Sequence, residues 1–458
     1  MSEILLSPEQ RISEVERLVV KTPEIAGIQN YEYLRSNVNS QKQAFIEDGN
    51  IVLQPSYPVL GAEHIIDLAG VTEQALKTLM PTRNEKADAL FSAVEYRFTE
   101  MFLLRVAGEM NDGSLTDKER QEAEDWFKLT SEALYGKPDK EVFAGLARYN
   151  LTVCLEKPLT DEQPKALELQ AELKDLFGQV PETSYIPFRP EQTTVDRINE
   201  LITERLGFMV DHVDEEKLYE VQDMVEAINV ALGKIGGVDI GWISRVVKDS
   251  AALSVLAHKR LVEVGENRDP AEGSELRGKI LHEVGVHALR SINAKNAGWL
   301  SAAYGQEGYL DFEEAFATAL EDAYQGKFED HGIDYYLIAG LTYGQDNHAP
   351  RAMREVYEIM WRKGALQATT EGADLTDAAI SKAQSEAFTA CVRMFRGTST
   401  TSPGVIYLKD LAYFNGQERA WSVLANVHSQ QDLDPLFAGK LDLTIPYHQH
   451  IAKQILSV

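Results

Sequence analysis

The chain has 458 residues, 44% of them hydrophobic and 26% charged, a globular composition that excludes wholesale disorder. Its 45 Lys and Arg against 72 Asp and Glu leave a net charge of -27, which excludes a general nucleic-acid binder because phosphate neutralisation needs concentrated cations. Cys154 and Cys391 are its two cysteines, too few for a disulfide framework or a thiolate zinc site.

The first residues, Met1 to Arg11, show no basic segment followed by a sustained apolar one, and no stretch reaches the roughly 18 apolar residues of a membrane span. A soluble, cytoplasmic protein without membrane or nucleic-acid partners is expected. Asn50 to Leu53 reads as a short strand. From Asn84 to Val106 apolar residues recur three and four apart, the helical period, and a turn follows at Asn111-Asp112-Gly113. Thr116 with Glu119 three residues on predicts a capping box at the start of a helix running through Ala133. Asp161 to Phe177 is a further helical stretch. Gln179 to Gln192 holds Pro181, Pro187 and Pro190 without helical periodicity, a linker-like composition. Because single cores stop growing near about 250–300 residues, a helical N-terminal region, 1–180, and a second unit, 181–458, are expected. Asp196 to Lys234 is again helical. Arg260 to Val264 is a strand, preceded by His258, and belongs to a small sheet ahead of a helix over Leu276 to Ile292. The fold class is mostly helical α+β.

That last helix carries His282-Glu283-Val284-Gly285-Val286-His287. Two histidines close together on a helix can hold a divalent metal, and a carboxylate beside the first can reach the water on it. Here the histidines are five positions apart, about 140° around an ideal α-helix. They share one face only where the helix widens, as in a π-type turn. Gly285, without Cβ, makes such distortion less costly. A third ligand belongs on a following helix, and Phe312-Glu313-Glu314-Ala315-Phe316 fits. Phe312, Phe316 and Leu320 form its apolar stripe, while Glu314 shares a face with Thr318 and Glu321. Periodicity does not choose between Glu313 and Glu314. His448 and His450, two apart near the C-terminus, read as an exposed pair; His64, His212, His331, His348 and His428 show no partner in the sequence.

The His282–His287 segment with Arg290 and Asn293 resembles the active-site helix of the microtubule-associated tyrosine carboxypeptidase family, whose bacterial relatives are often labelled flavohaemoglobin-expression-modulating proteins. Glu313-Glu314-Ala315-Phe316-Ala317 resembles the Glu-Gly-Leu-Ala motif of those relatives. Leu134-Tyr135-Gly136-Lys137-Pro138, Arg393 to Thr398 and Lys409 to Gly416 are similar to further family segments. The resemblance implies a zincin-like metallopeptidase core and a zinc carboxypeptidase that removes a C-terminal Tyr or Phe from a peptide or protein. It implies zinc on His282, His287 and Glu314, with Glu283 as general base. The chain departs from the motif at Ala315 and Phe316, and the added bulk of Phe316 bears on pocket shape.

A carboxypeptidase also needs a cation for the terminal carboxylate, for which Arg offers a bidentate fit. Arg290, Arg393, Arg396 and Lys409 lie near the motifs; Arg396 and Lys409 are the choice. Tyr413, ahead of Tyr407, is taken as the donor to the developing oxyanion. Two other readings stand beside this one: a metal-dependent amide hydrolase acting on a small molecule, and a non-catalytic regulatory protein. The net charge argues against binding to acidic microtubule tails.

Overall fold

The computed structural model describes residues 6–457 except 28–29, 35, 58–61, 81, 83, 112–113, 249 and 371. Helix makes up 64% of the chain and the sheets are small, so the class is α+β. No helix among the described residues is long and apolar enough to cross a membrane.

Local chemistry sets the element ends. The Asn84 side chain accepts from the Lys86 amide and starts a helix over Glu85–Met110, which ends four residues beyond the stretch read from the sequence period. Of the turn expected after it, Asp112 and Gly113 lie outside the described residues. Thr116 and Glu119 exchange the two bonds of a capping box ahead of Asp117–Tyr135. Pro164 takes the first turn of Pro164–Leu176, where its missing N–H removes no helical bond.

Two expected elements differ. Asn50 to Leu53 is no strand: the carbonyls of Ile51 and Leu53 accept from Arg354 and Thr400 side chains, so these backbone groups pair outside any ladder. The Asp196 to Lys234 stretch divides into helices Gln192–Leu206 and Val221–Lys234. Between them Leu218–Tyr219, here β1, pairs antiparallel with Ala271–Glu272. This crossing brings the Asp214 carbonyl to Gly273, where a Cβ would sit 1.7 Å from it. Glycine is therefore required at the start of the helix that follows.

The larger sheet has three strands. β2 (Ile243–Val247) runs parallel to β4 (Leu261–Gly265), and β3 (Leu253–Leu256) pairs antiparallel with β4 on its other side. β4 is the central strand and is wholly buried; the strand read at Arg260 to Val264 is this one. The two-residue strand Ala271–Glu272, β5, then leads into the helical run Gly273–Asn296. Residues 177–191 are neither helix nor strand. One apolar core holds residues from Ile12 to Phe437, on both sides of that segment.

Candidate functional site

The helical run beneath the sheet has three parts: α over Gly273–Ile280, π over Leu281–Ala288 and α over Leu289–Asn296. In the π part bonds reach five residues back, as from the Leu289 amide to the Val284 carbonyl. Side chains five apart therefore stack, and the rings of His282 and His287 lie 5.1 Å apart at 71°. The widened turn read from the spacing is present.

The facing helix is Leu310–Tyr324. Its Phe312, Phe316 and Leu320 stripe is buried, with Phe316 against Phe437 and the Arg290 guanidinium. Phe316 thus points away from the histidines and leaves their cavity unaltered. The two adjacent glutamates take different partners. Glu313 accepts from His287 Nδ1 at 2.8 Å and from Lys440 Nζ at 2.8 Å, and it pairs with Arg290. Burial works against this carboxylate, but Arg290, Lys440 and His287 outweigh it and hold its pKa well below the usual range. Glu314 lies on the other side of the ring, its Oε2 3.9 Å from His287 Nε2. Glu321, two turns on, takes His282 Nδ1 at 3.1 Å and Lys279 at 2.6 Å. Burial opposes its ionisation too, yet His282 and Lys279 lower its pKa to about 2.

The outcome is a cluster in which ligand atoms of His282, His287 and Glu314 all lie within 4.8 Å of one another. Each imidazole has Nδ1 fixed by a carboxylate, which presents Nε2 inward. For His282, burial disfavours the imidazolium, but Glu321, Glu283 and Glu314 more than offset it and raise its pKa. A positive charge is favoured at this point. Two nitrogens, one oxygen and a surplus of negative charge suit a three-ligand zinc site with an open fourth position.

A cavity of about 180 Å³ opens over the cluster. Its walls hold His282, Glu283, His287 and Glu314 together with Arg396, Lys409 and Tyr413. All seven residues singled out in the sequence thus line one space. Leu253 and Val255 of β3, with Leu310 and Ala412, give it apolar walls. An open groove of about 710 Å³ adjoins it and shares Leu253, His282, Glu283, Arg393 and Tyr413. The turn carrying Lys409 and Tyr413 is seated by Gly416, where a Cβ would stand 1.8 Å from the Asp311 carbonyl.

The other candidates separate by their partners. Arg290 is fully buried on Glu313 and the Leu441 carbonyl, so it reads no ligand. Arg393 is engaged by Asp410 through two 2.8 Å bonds. Arg396 lines the cavity and is committed to no carboxylate among the described residues. Tyr407 is buried with its ring on Tyr135, outside the cavity. His258 is buried in the turn before β4, also outside it. The C-terminal histidines are not an exposed pair: His448 is 3% exposed, its Nδ1 accepting from the Asp442 amide, while His450 faces Glu85. His331 has a partner after all, both oxygens of buried Asp322.

Glu313 was weighed in the sequence only as the alternative third ligand, and Glu321, Lys440 and Asp410 were given no site role there. Glu321 left a signal, lying seven residues after Glu314 on the same helical face, and Asp410 lies within the segment 409–416 that resembles the family. No curated protein and no solved structure gives a significant match to the chain. A family-model match covers residues 354–454, which include Arg393, Arg396, Lys409, Tyr413 and Lys440 but neither histidine of the cluster. The matched model is that of the microtubule-associated tyrosine carboxypeptidase, the family that the motifs of the sequence resemble.

Proposed function

We propose that the protein is a zinc-dependent carboxypeptidase with a zincin-like core, releasing a C-terminal Tyr or Phe. The family match over residues 354–454 supports carboxypeptidase activity in general; the metal, the residue roles and the specificity are our reading. The observation that carries it is the meeting of His282, His287 and Glu314 within 4.8 Å, at the base of a cavity that also holds a carboxylate and a cation.

His282, His287 and Glu314 would hold the zinc, which when bound would supply Lewis acidity toward the scissile carbonyl and the attacking water. Glu283, beside His282 on the π segment and facing the cavity, takes a proton from the attacking water through its carboxylate. It then delivers that proton to the leaving amine nitrogen. Glu313 and Glu321 hold the two imidazole Nδ1 atoms so that neither ring turns during turnover. Tyr413 donates its O–H to the carbonyl oxygen as charge develops there. Arg396, with Lys409 beside it, binds the terminal carboxylate. The cavity of about 180 Å³ suits one terminal residue, and the larger groove beside it receives the chain upstream. That continuity favours a peptide or protein end over a small-molecule amide.

The test is metal analysis with a panel of short peptides differing in the last residue. About one zinc per chain is expected, with release of terminal Tyr or Phe and loss of turnover in Glu283→Gln. Full activity in that variant ends the mechanism. A protein with neither metal nor turnover favours the regulatory reading.

A further inference from the structure

Tyr413 lies where the cavity over the cluster meets the larger groove. Its hydroxyl has one proton to give and two lone pairs to receive with. Arg393 Nη2 donates to that oxygen at 3.0 Å, and a guanidinium has no acceptor to return the bond to. The neighbouring carboxylate of Asp410 takes Nε and Nη2 of Arg393 at 2.8 Å each, and among the described residues no bond runs to it from the Tyr413 hydroxyl. Among the described residues the Tyr413 hydroxyl donates no hydrogen bond to a protein acceptor.

Arg393 is itself fixed. Asp410 grips one edge of its fork, and the side chain of Asp410 is only 5% exposed. The guanidinium carbon lies 4.9 Å from the Tyr335 ring centre and 5.1 Å from that of Tyr413, close enough for cation–π attraction to both. Elements from different parts of the chain converge here: Arg393 from the helix Asp377–Met394, Asp410 and Tyr413 from the turn 409–415.

We infer that Arg393 and Asp410 are positioning residues, which together turn the Tyr413 hydroxyl into a one-way donor aimed at the reacting carbonyl. Arg393 fills the acceptor side of the hydroxyl, and Asp410 fixes Arg393. The proton left over points into the cavity. Arg393 therefore belongs to the donor arm rather than to terminal-carboxylate recognition, which stays with Arg396 and Lys409. This deepens the peptidase reading and rests on it.

The experiment is a double-mutant cycle between Tyr413→Phe and Asp410→Asn in the full zinc-loaded chain. It is read as kcat and KM on a peptide ending in Tyr, with zinc content recorded. Tyr413→Phe is expected to lower kcat about 100-fold and to leave KM within about threefold. Asp410→Asn lowers kcat at least about tenfold in the parent chain and less than about twofold in the Tyr413→Phe background. Asp410→Glu, which keeps a carboxylate for Arg393, recovers part of that loss. Should Asp410→Asn fold poorly, Arg393→Lys goes through the same cycle, since Lys keeps the charge but not the fork. Equal losses in both backgrounds mean a merely structural role and overturn the proposal. So does full kcat in Tyr413→Phe, while the peptidase reading survives. A parent protein that turns over no peptide overturns both readings together.

Discussion

Asp311 and His448 both feel the buried carboxylate of Asp442, and they respond to pH with opposite signs. Burial pushes the His448 imidazole down to about 4, partly offset by Asp442. Burial likewise pushes the Asp311 carboxyl up to about 6, against the pull of Arg419. A histidine depressed in the folded state binds its proton first in the unfolded chain. Its contribution is intact above pH 6.5 and is lost as pH falls toward 4. A carboxyl raised in the folded state does the reverse, adding stability as pH falls from 6 toward 3.8. Each shift corresponds to roughly 3 kcal/mol. Relative to the parent chain, His448→Gln should therefore gain stability on acidification from pH 6.5 to 4, and Asp311→Asn should lose it. Urea midpoints across that range measure both, and parallel curves for parent and variants would refute the assignment. At the proposed zinc site, Glu321→Gln should weaken zinc binding by about 10–100-fold, read by competition with a chelator, because His282 loses the carboxylate that orients it.

At the scale of elements, the π segment is an inserted residue absorbed without disturbing the helix on either side. It lets His282 and His287 share a face while Arg290, three residues on, still reaches Glu313. Deleting Val286 would restore the four-residue histidine spacing but turn everything after it by about 100°. Arg290 would leave Glu313, and breaking such a buried pair costs about 3–5 kcal/mol. A large fall in Tm and loss of zinc are expected; a stable, zinc-bound deletion variant would show that the widened turn is dispensable. Gly285 matters less than its position suggests. A Cβ there would come no nearer than 3.4 Å to Leu206, so Gly285→Ala should fold with Tm almost unchanged.

What the sequence disclosed follows from the range of the interactions involved. Capping at Thr116 and the widened turn at Gly285 were legible because both are set within a few residues. Glu313 and Glu314 were not separable, because their difference lies in Arg290, Lys440 and His287, and Lys440 is more than a hundred residues away in the chain. The burial of His448 escaped for the same reason, since its helix Pro446–Leu456 packs Ile451, Ala452 and Ile455 into a cluster with Ala89, Ala294 and Ala302, which it meets only in the fold. Asn50 to Leu53 has the composition of a strand, but the groups that satisfy its carbonyls come from Arg354 and Thr400.

For the whole molecule, charge is balanced in the cavity and unbalanced outside it. Arg393, Arg396, Lys409 and Lys440 line the cavity beside Glu283, Glu313, Glu314 and Asp410, while the chain as a whole stands at -27. The cavity cations act over a few ångströms and are partly tied to Asp410 and Glu313. The bulk field acts over a Debye length, roughly 30 Å at 0.01 M salt and 8 Å at 0.15 M. A peptide with several Glu residues upstream of a terminal Tyr is therefore repelled before its end reaches Arg396, whereas one with Gln or Lys is not. Between such peptides kcat/KM should differ by about tenfold at low salt and converge as salt is raised. The acidic substrate should be the one that speeds up. The same field predicts no cosedimentation with polymerised tubulin. If the acidic peptide is instead the better substrate at low salt, the groove beside the cavity must focus positive potential strongly enough to override the charge of the rest of the chain.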